Sequence, residues 1–350
     1  MNDAYHALIR GQRSGVLAAL KRAGLRTLSL GYRLGVSLRN LAFERGWRKT
    51  FRAPVPVVSV GNLTTGGTGK TPCVEYVARF YRQLGLQVAL LSRGYGSEAG
   101  RNDEALVLEE NLPDVPHLQG GDRVSLAQTA VEELETEILV LDDGFQHRRL
   151  QRDLDIVLID ATCPWGYGYL LPRGLLREPI GSLKRADVAM LTRCDLVRPE
   201  VLREIRVAIA RVTPGLPIIE SVHRPAAWRN AAGMESALDD LRDRPIAAFC
   251  GIGNPEGFRQ TLAGLGINVV AWRTFSDHHA YTRADIEELQ SWARQLPADA
   301  VLATTQKDLV KIRVDQLGER ALWALAIRLE VTSGQDALEF LLRKTAKIQG

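Results

Sequence analysis

Residues 54–81 read PVPVVSVGNLTTGGTGKTPCVEYVARFY. Val55 to Val60 is a short apolar, β-branched run of the kind that fills a buried parallel strand. It runs into a glycine-rich turn ending in Gly69-Lys70-Thr71. Val74, Val77, Ala78 and Tyr81 then recur at three- and four-residue steps, with Pro72 near the start, where a helix tolerates it. Strand, glycine loop and helix start together predict a phosphate cradle. Backbone N–H groups of Gly66, Gly67, Thr68 and Gly69 turn inward on an anion, Lys70 reaches the β/γ-phosphates, and the Thr71 hydroxyl ligates Mg²⁺. The strict pattern G-x-x-x-x-G-K-[ST] wants glycine where this chain has Thr64, its glycines falling later in the loop. A turn that merely happens to carry Gly-Lys-Thr is the competing reading, and the flanking strand and helix weigh against it.

At 350 residues, with 45% hydrophobic and 25% charged side chains, the chain suits an ordinary globular protein of two domains. Cys73, Cys163, Cys194 and Cys250 lie far apart with no C-x-x-C pair, which argues against a structural zinc site and against a disulfide framework, and points to a reducing cytoplasmic setting. No stretch has the apolar length of a spanning helix, and no signal-peptide pattern opens the chain. The formal net charge of +4 is unevenly placed: residues 1–52 hold eleven basic residues against Asp3 and Glu44, so +9 lies there and −5 on the rest. Wound at helical pitch over residues 16–43, Leu17, Leu20, Leu28 and Leu38 share one face and Arg22, Arg26 and Arg33 the opposite one. A basic amphipathic helix of this kind suits an anionic membrane surface. Packing of the leucine face on the protein, aided by Gly24, Gly31 and Gly35, competes equally. Nucleic acid is disfavoured, because no aromatic or motif signature accompanies the charge.

Gln87 to Ser92 reads as a second buried strand, followed by Arg93-Gly94-Tyr95-Gly96. Topology places Arg93 and the pair Asp103-Glu104 near the nucleotide, since doubly wound sheets bind ligands at the carboxyl ends of their strands. Taken alone, Asp103-Glu104 reads as a solvated turn before a strand over Ala105 to Leu108. Ile138 to Leu141 delivers four apolar residues into Asp142-Asp143-Gly144-Phe145-Gln146-His147, the Walker B arrangement that holds a carboxylate against Mg²⁺. Adjacent acids on a regular strand point to opposite faces, so at most one of Asp142 and Asp143 is a direct ligand and the other is free for another role. Asp155 to Asp160 and Asp187 to Thr192 predict two more parallel strands. WGYGYLLPRGLLREP between them suits a substrate-facing loop, with Arg177 and Glu178 its charged pair. Thr192-Arg193-Cys194-Asp195 is similar to the element by which GTPases read guanine.

Pro214 and Pro217 mark a boundary beyond which the pattern starts afresh. Ile246 to Cys250, Asn268 to Trp272 and Ala300 to Thr304 predict strands, separated by helices over Glu256 to Leu265 and Arg283 to Leu296. The expected fold is therefore α/β: a P-loop NTPase-type parallel sheet domain (53–214), a second, smaller α/β lobe (215–350), and a basic amphipathic N-terminal segment (1–52). The second lobe has no glycine-rich loop of its own, which argues against a second nucleotide site. Its His278-His279 pair is too small a set for a metal without acids from elsewhere.

In order along the chain, GNLTTGGTGKTP, SRGYG, NDEALVL, GGDRV, LDDGFQHRRL, LPRGLLREP, GIGNP, FSDHHAYT and TTQKD resemble the tetraacyldisaccharide 4'-kinase family, also called lipid A 4'-kinases. The resemblance spans most of the chain, and the ordered combination is far more specific than the P-loop alone. It implies ATP- and Mg²⁺-dependent phosphorylation of the 4'-hydroxyl of an acylated glucosamine disaccharide, by a monomer at the cytoplasmic face of a Gram-negative inner membrane. It further implies P-loop roles for Gly69, Lys70 and Thr71, Walker B roles for Asp142 and Asp143, and a base at Asp103 paired with His278 from the other lobe. Arg123, Gln146 and Arg177 become substrate or nucleotide contacts, and Glu178 a metal contact. Asn102-Asp103-Glu104-Ala105 departs from the family's usual Gly-Asp-Glu-Pro, and Thr305-Gln306-Lys307-Asp308 from its Thr-Glu-Lys-Asp. The competing class is a regulatory GTPase or a P-loop metallochaperone, favoured by Thr192 to Asp195. A GTPase switch needs D-x-x-G after its strand, however, and this chain has Phe145 and Gln146 there.

Overall fold

The computed structural model describes residues 3–94 and 103–348. Tyr95, Gly96 and Asn102 of the motifs above lie outside the described residues. In chain order the elements begin with α1 (Asp3–Ile9), α2 (Val16–Glu44), β1 (Val57–Asn62), α3 (Lys70–Gln83), β2 (Val88–Ser92), α4 (Asp103–Asn111) and β3 (His117–Gln119). There follow α5 (Arg123–Leu134), β4 (Ile138–Asp142), β5 (Leu154–Asp160), β6 (Val188–Thr192), α6 (Pro199–Val212), β7 (Ile218–Arg229) and β8 (Glu235–Ser236). The chain closes with β9 (Ile246–Cys250), α7 (Pro255–Gly264), β10 (Val269–Thr274), α8 (Arg283–Arg294), β11 (Val301–Thr305), α9 (Gln306–Ile312), β12 (Gln316–Leu317), β13 (Arg320–Ser333) and α10 (Gln335–Thr345).

The chain divides into two compact units, residues 1–94, 112–222 and 329–350 in the first and residues 95–111 and 223–328 in the second. Residues 1–52 join the first unit, its boundary lies at 222 rather than 214, and two further segments change unit relative to the boundaries expected from sequence. The segment carrying Asp103 goes with the second unit, and the C-terminal helix α10 returns to the first, where the Tyr81 hydroxyl donates to the Leu342 carbonyl at 3.0 Å.

In the first unit the strands run parallel in the order β7-β6-β5-β1-β4-β2-β3. The P-loop strand β1 lies between β4 and β5, with Val60 opposite Asp142, so the glycine loop and the Walker B acids leave the sheet at the same edge. All six residues of β1 are buried, as a strand covered on both faces requires. Gly61 is needed for close approach: a Cβ there would come within 2.5 Å of the Phe145 Cβ. Phe145 is itself fully buried, so the position that departs from a GTPase switch is filled by a core side chain. Burying a phenylalanine contributes about 1.5–3 kcal/mol.

In the second unit β10, β9, β11 and β13 are parallel, with β12 antiparallel to β13. Two apolar clusters fill its faces, one around Trp228, Ala248, Leu262 and Val301, the other around Phe249, Leu289, Leu302 and Leu322. The strand expected over Ala105 to Leu108 is instead part of helix α4. Ala105, Leu108 and Leu112 are buried at helical spacing, and Asp103 and Glu104 occupy the first turn, where carboxylates favour the helix dipole.

Helix α2 does not pack through the leucine face that the sequence offered for packing. It packs on the first unit through Ala18, Ser29, Val36 and Asn40, a stripe of mostly small and polar residues. The Ser29 hydroxyl donates to the Leu170 carbonyl at 2.9 Å and accepts from the Arg173 N–H at 3.0 Å. Leu17, Leu20, Leu28 and Leu38 are left 67%, 64%, 62% and 56% exposed. The space beside Gly24, Gly31 and Gly35 is open, so these glycines serve no close packing. Among the described residues, no helix is long and apolar enough to cross a membrane.

Candidate active site

The first unit builds an anion cradle from backbone. Helix α3 begins at Lys70 with no side-chain cap, and Gly69 before it has φ +88°, a left-handed conformation that L-residues other than glycine adopt with strain. The first N–H groups of α3 therefore have no partner within the helix, which is what a phosphate requires. Pro72 stands at the third helical position, where its missing N–H costs nothing. The loop is fixed from three sides. Asn62 Nδ2 donates to the Thr68 hydroxyl at 2.9 Å, the Thr192 hydroxyl donates to the Thr68 carbonyl at 2.9 Å, and an Arg193 guanidinium N–H donates to the Gly67 carbonyl at 2.7 Å. Thr192 and Arg193, similar in sequence to a guanine reader, thus brace the phosphate loop.

Backbone pairing also brings in the segment after β5. Thr65 N–H donates to the Leu175 carbonyl at 2.8 Å and Arg177 N–H to the Leu63 carbonyl at 2.7 Å. Arg177 then contacts both Asp143 oxygens, at 2.8 and 2.9 Å, and Lys70 Nζ lies 3.5 Å from the same carboxylate. Gln146 joins through its own Nε2, which donates to the Asn62 carbonyl at 2.8 Å, and its Oε1, which accepts from Arg177 at 3.3 Å. Burial opposes ionisation of Asp143, but Lys70 and Arg177 outweigh it and hold the carboxyl below its usual range. Arg123 is buried at the start of α5 and donates to the Asp142 carbonyl at 3.2 Å. The alternation argument for the two acids does not apply: β4 ends at Asp142, and Asp143 has φ +52°, off the strand.

Glu178, expected as a metal contact, stands in a different environment. It is fully buried, and its oxygens accept from Arg39 at 2.8 Å, Asn40 at 2.9 Å, Ser182 at 2.8 Å and Arg185 at 3.0 Å. Through Arg39 and Asn40 the carboxylate anchors α2 to the body of the unit. Sequence reasoning missed this role because Arg39 and Asn40 lie about 140 positions away, and nothing local marks them as partners.

The second unit builds its site from side chains. His278 Nδ1 lies 3.0 Å from each Asp103 oxygen, and His278 itself has φ +57°. Both residues belong to this unit, which corrects the expectation that they come from different lobes. Burial disfavours the Asp103 charge, yet the His278 hydrogen bond and the nearby Lys307 outweigh it and lower its pKa. The hydrogen bond to Asp103 raises the pKa of His278, whose side chain is 54% exposed. Glu104 pairs with Lys307 Nζ at 2.5 Å. Asp103, Glu104 and His278 bring one ligand atom each within 4.8 Å of one another, but lysines already supply the positive charge beside them. His279 takes a different part, stacking on Phe275 at 4.8 Å and lying 3.2 Å from Asp285.

Residues 21–346 match the family model described as tetraacyldisaccharide-1-P 4'-kinase. The chain is 41% identical over 356 residues to a tetraacyldisaccharide 4'-kinase of Anaeromyxobacter dehalogenans, covering 95% of this chain and 92% of that one. It is 37% identical over 354 residues to one from Desulfatibacillum aliphaticivorans, with 93% of each covered. Among solved structures, LpxK from Aquifex aeolicus in complex with ATP superposes with a TM-score of 0.74 at 30% identity, covering 93% of this chain and 99% of that chain.

Proposed function

The chain belongs to the tetraacyldisaccharide-1-P 4'-kinase family and is an ATP-dependent kinase of lipid A biosynthesis, and on that premise we propose how its residues carry the transfer. The 4'-hydroxyl oxygen of a tetraacylated glucosamine disaccharide 1-phosphate attacks the γ-phosphorus of ATP. The new O–P bond forms as the bond to the β-phosphate oxygen breaks, ADP leaves, and the hydroxyl proton passes to Asp103. Such transfer runs through a loose transition state, so the protein's work is positioning and charge stabilisation. Lys70 leaves Asp143 to meet the phosphates, the amides of residues 66–71 hold their oxygens, and Arg177 and Arg123 add positive charge beside them. Thr71 and Asp142 or Asp143 offer the hard oxygen ligands that suit Mg²⁺, which would neutralise charge on the phosphates.

The observation that carries the acid–base assignment is the Asp103–His278 pair. A carboxylate with a lowered pKa is a weak base, which suits a loose transition state in which the nucleophile loses its proton late. His278 keeps the carboxylate oriented and shares the proton it receives. Incubating the pure protein with Mg-ATP and a lipid A precursor should yield a product heavier by one phosphate, and Asp103→Ala should slow its formation about a hundredfold. Wild-type turnover by Asp103→Ala would remove the assignment.

The exposed leucines of α2, beside the +9 of residues 1–52, suit an anionic bilayer at the cytoplasmic face of the inner membrane. Replacing Leu17, Leu20, Leu28 and Leu38 by serine should release the protein from anionic liposomes. It should also raise KM for the lipid acceptor while leaving KM for ATP unchanged. Unaltered sedimentation with liposomes would place the membrane contact elsewhere.

A further inference from the structure

Three loops at the carboxyl ends of β9, β10 and β11 meet on one carboxylate, Asp308, which is fully buried. It accepts from the Gly251 N–H at 3.1 and 3.2 Å, from the Tyr281 hydroxyl at 3.1 Å and from the Thr305 hydroxyl at 2.7 Å. The Gly251 carbonyl in turn accepts from the His278 N–H at 3.1 Å, so the buried acid is tied to the backbone of the histidine that faces Asp103. Beside it, Lys311 Nζ lies 3.4 Å from Asp308 and 4.0 Å from Asp103, with the Tyr281 ring 5.4 Å away. That ammonium is buried and makes no hydrogen bond. A buried cation without hydrogen bonds is held in place by the charges around it, here the two carboxylates.

The geometry points to Lys311 as a positioning residue for the phosphoryl transfer: anchored by Asp308, it joins His278 in fixing the Asp103 carboxylate and balances the charge of the pair. This rests on the reading of Asp103–His278 as the proton acceptor. Without Lys311, four acids (Asp103, Glu104, Asp277 and Asp308) would crowd one histidine and one lysine, Lys307. The proton affinity of the pair would then rise, and the Asp103 carboxylate would lose a charge that holds it in place for the sugar hydroxyl.

The groups that face the pair and its lysine are Asp103 and Glu104 on α4, Cys250 at the end of β9, Asp277, His278, His279 and Tyr281 in the loop after β10, Asp285 on α8, and Lys307 and Asp308 on α9. All are unchanged in variants of Lys311, so a shift between variants reads that ammonium alone. A cation opposes protonation of a nearby imidazole; its loss must move the His278 titration upward.

The test follows the His278 ring resonance by NMR against pH in the full chain, assigned by its disappearance in His278→Gln. In Lys311→Met and Lys311→Gln the titration midpoint should rise by about one pH unit, the size expected of a charge a few ångströms away. It should stay in place in Lys311→Arg, which keeps the charge. The neutral variants should lose about tenfold in kcat with KM for ATP unchanged, and Lys311→Arg should recover most of it. Two neutral replacements of different polarity guard against one failing to fold. An unmoved midpoint in both, or an equal loss of kcat in Lys311→Arg, overturns the assignment. Asp103→Ala, measured alongside, separates the failures. If it turns over normally, the acceptor reading falls and takes Lys311's role with it; if it is slowed while the midpoint stays fixed, only the role of Lys311 falls.

Discussion

The two units place their chemistry in the same way, at the carboxyl ends of parallel strands, but build it from different material. In the first, the cradle is mostly backbone, and the side chains around it carry a surplus of cations: Lys70, Arg123 and Arg177 against Asp142 and Asp143. In the second, the site is almost all side chain and its charges nearly balance: Asp103, Glu104, Asp277 and Asp308 against His278, Lys307 and Lys311. A surplus of cations attracts a triphosphate. A nearly balanced cluster keeps a carboxylate ionised, desolvated and oriented, which is what a proton acceptor needs.

The contrast is broken most severely at Lys70. Lys70→Ala should lower kcat by about a thousandfold or more, because its charge is needed where the γ-phosphoryl develops charge, while the melting temperature stays near that of the parent. Near-normal turnover would mean that the cation surplus of the first unit is not catalytic. The next test is a double-mutant cycle on the second unit. Asp103→Ala and His278→Ala should each cost about a hundredfold in kcat, and the double variant should be scarcely slower than the worse single one, since a base and its orienting partner fail together. If the two losses multiply, His278 acts on substrate by itself and the cluster is not one device.

Glu178 sharpens the comparison from the structural side. Glu178→Gln leaves Arg39 and Arg185 short of a buried counter-charge and should destabilise the protein by about 3 kcal/mol, measured by denaturant unfolding, with turnover per folded molecule and the Mg²⁺ dependence preserved. An altered Mg²⁺ dependence at unchanged stability would return this acid to the metal site. The smallest effect is expected at Thr192. Thr192→Val removes one hydrogen bond from the Thr68 carbonyl, worth about 1 kcal/mol, and should raise KM for ATP about fivefold with kcat unaltered. A fall in kcat instead would show that the brace acts in the transition state rather than on nucleotide binding.

How much of this was legible in the chain follows the same division. The glycine turn between β1 and α3, the strand ending at Asp142 and the parallel sheet were readable because each depends on neighbours in sequence: a β-branched run, a glycine turn and a helix start obey local rules of backbone geometry. Strands β1, β4, β5, β6 and β9 fall within a residue or two of the expected runs. Helix α4 was misjudged as a turn and strand. Its two acids look solvated in isolation, and its apolar face is short enough to fit either period.

What the sequence by itself determined is the set of elements that close through local backbone preference, together with the ordered motifs that mark the family. Only the tertiary structure decided which distant charges share one burial site. It placed Asp103 with His278 in one unit, engaged Glu178 with helix α2, set Lys311 between two carboxylates, and turned the leucines of α2 outward while its small residues face in. The reason is physical: a backbone conformation is selected within a few residues, whereas a buried charge is stable only beside counter-charges and donors that the fold brings from anywhere in the chain.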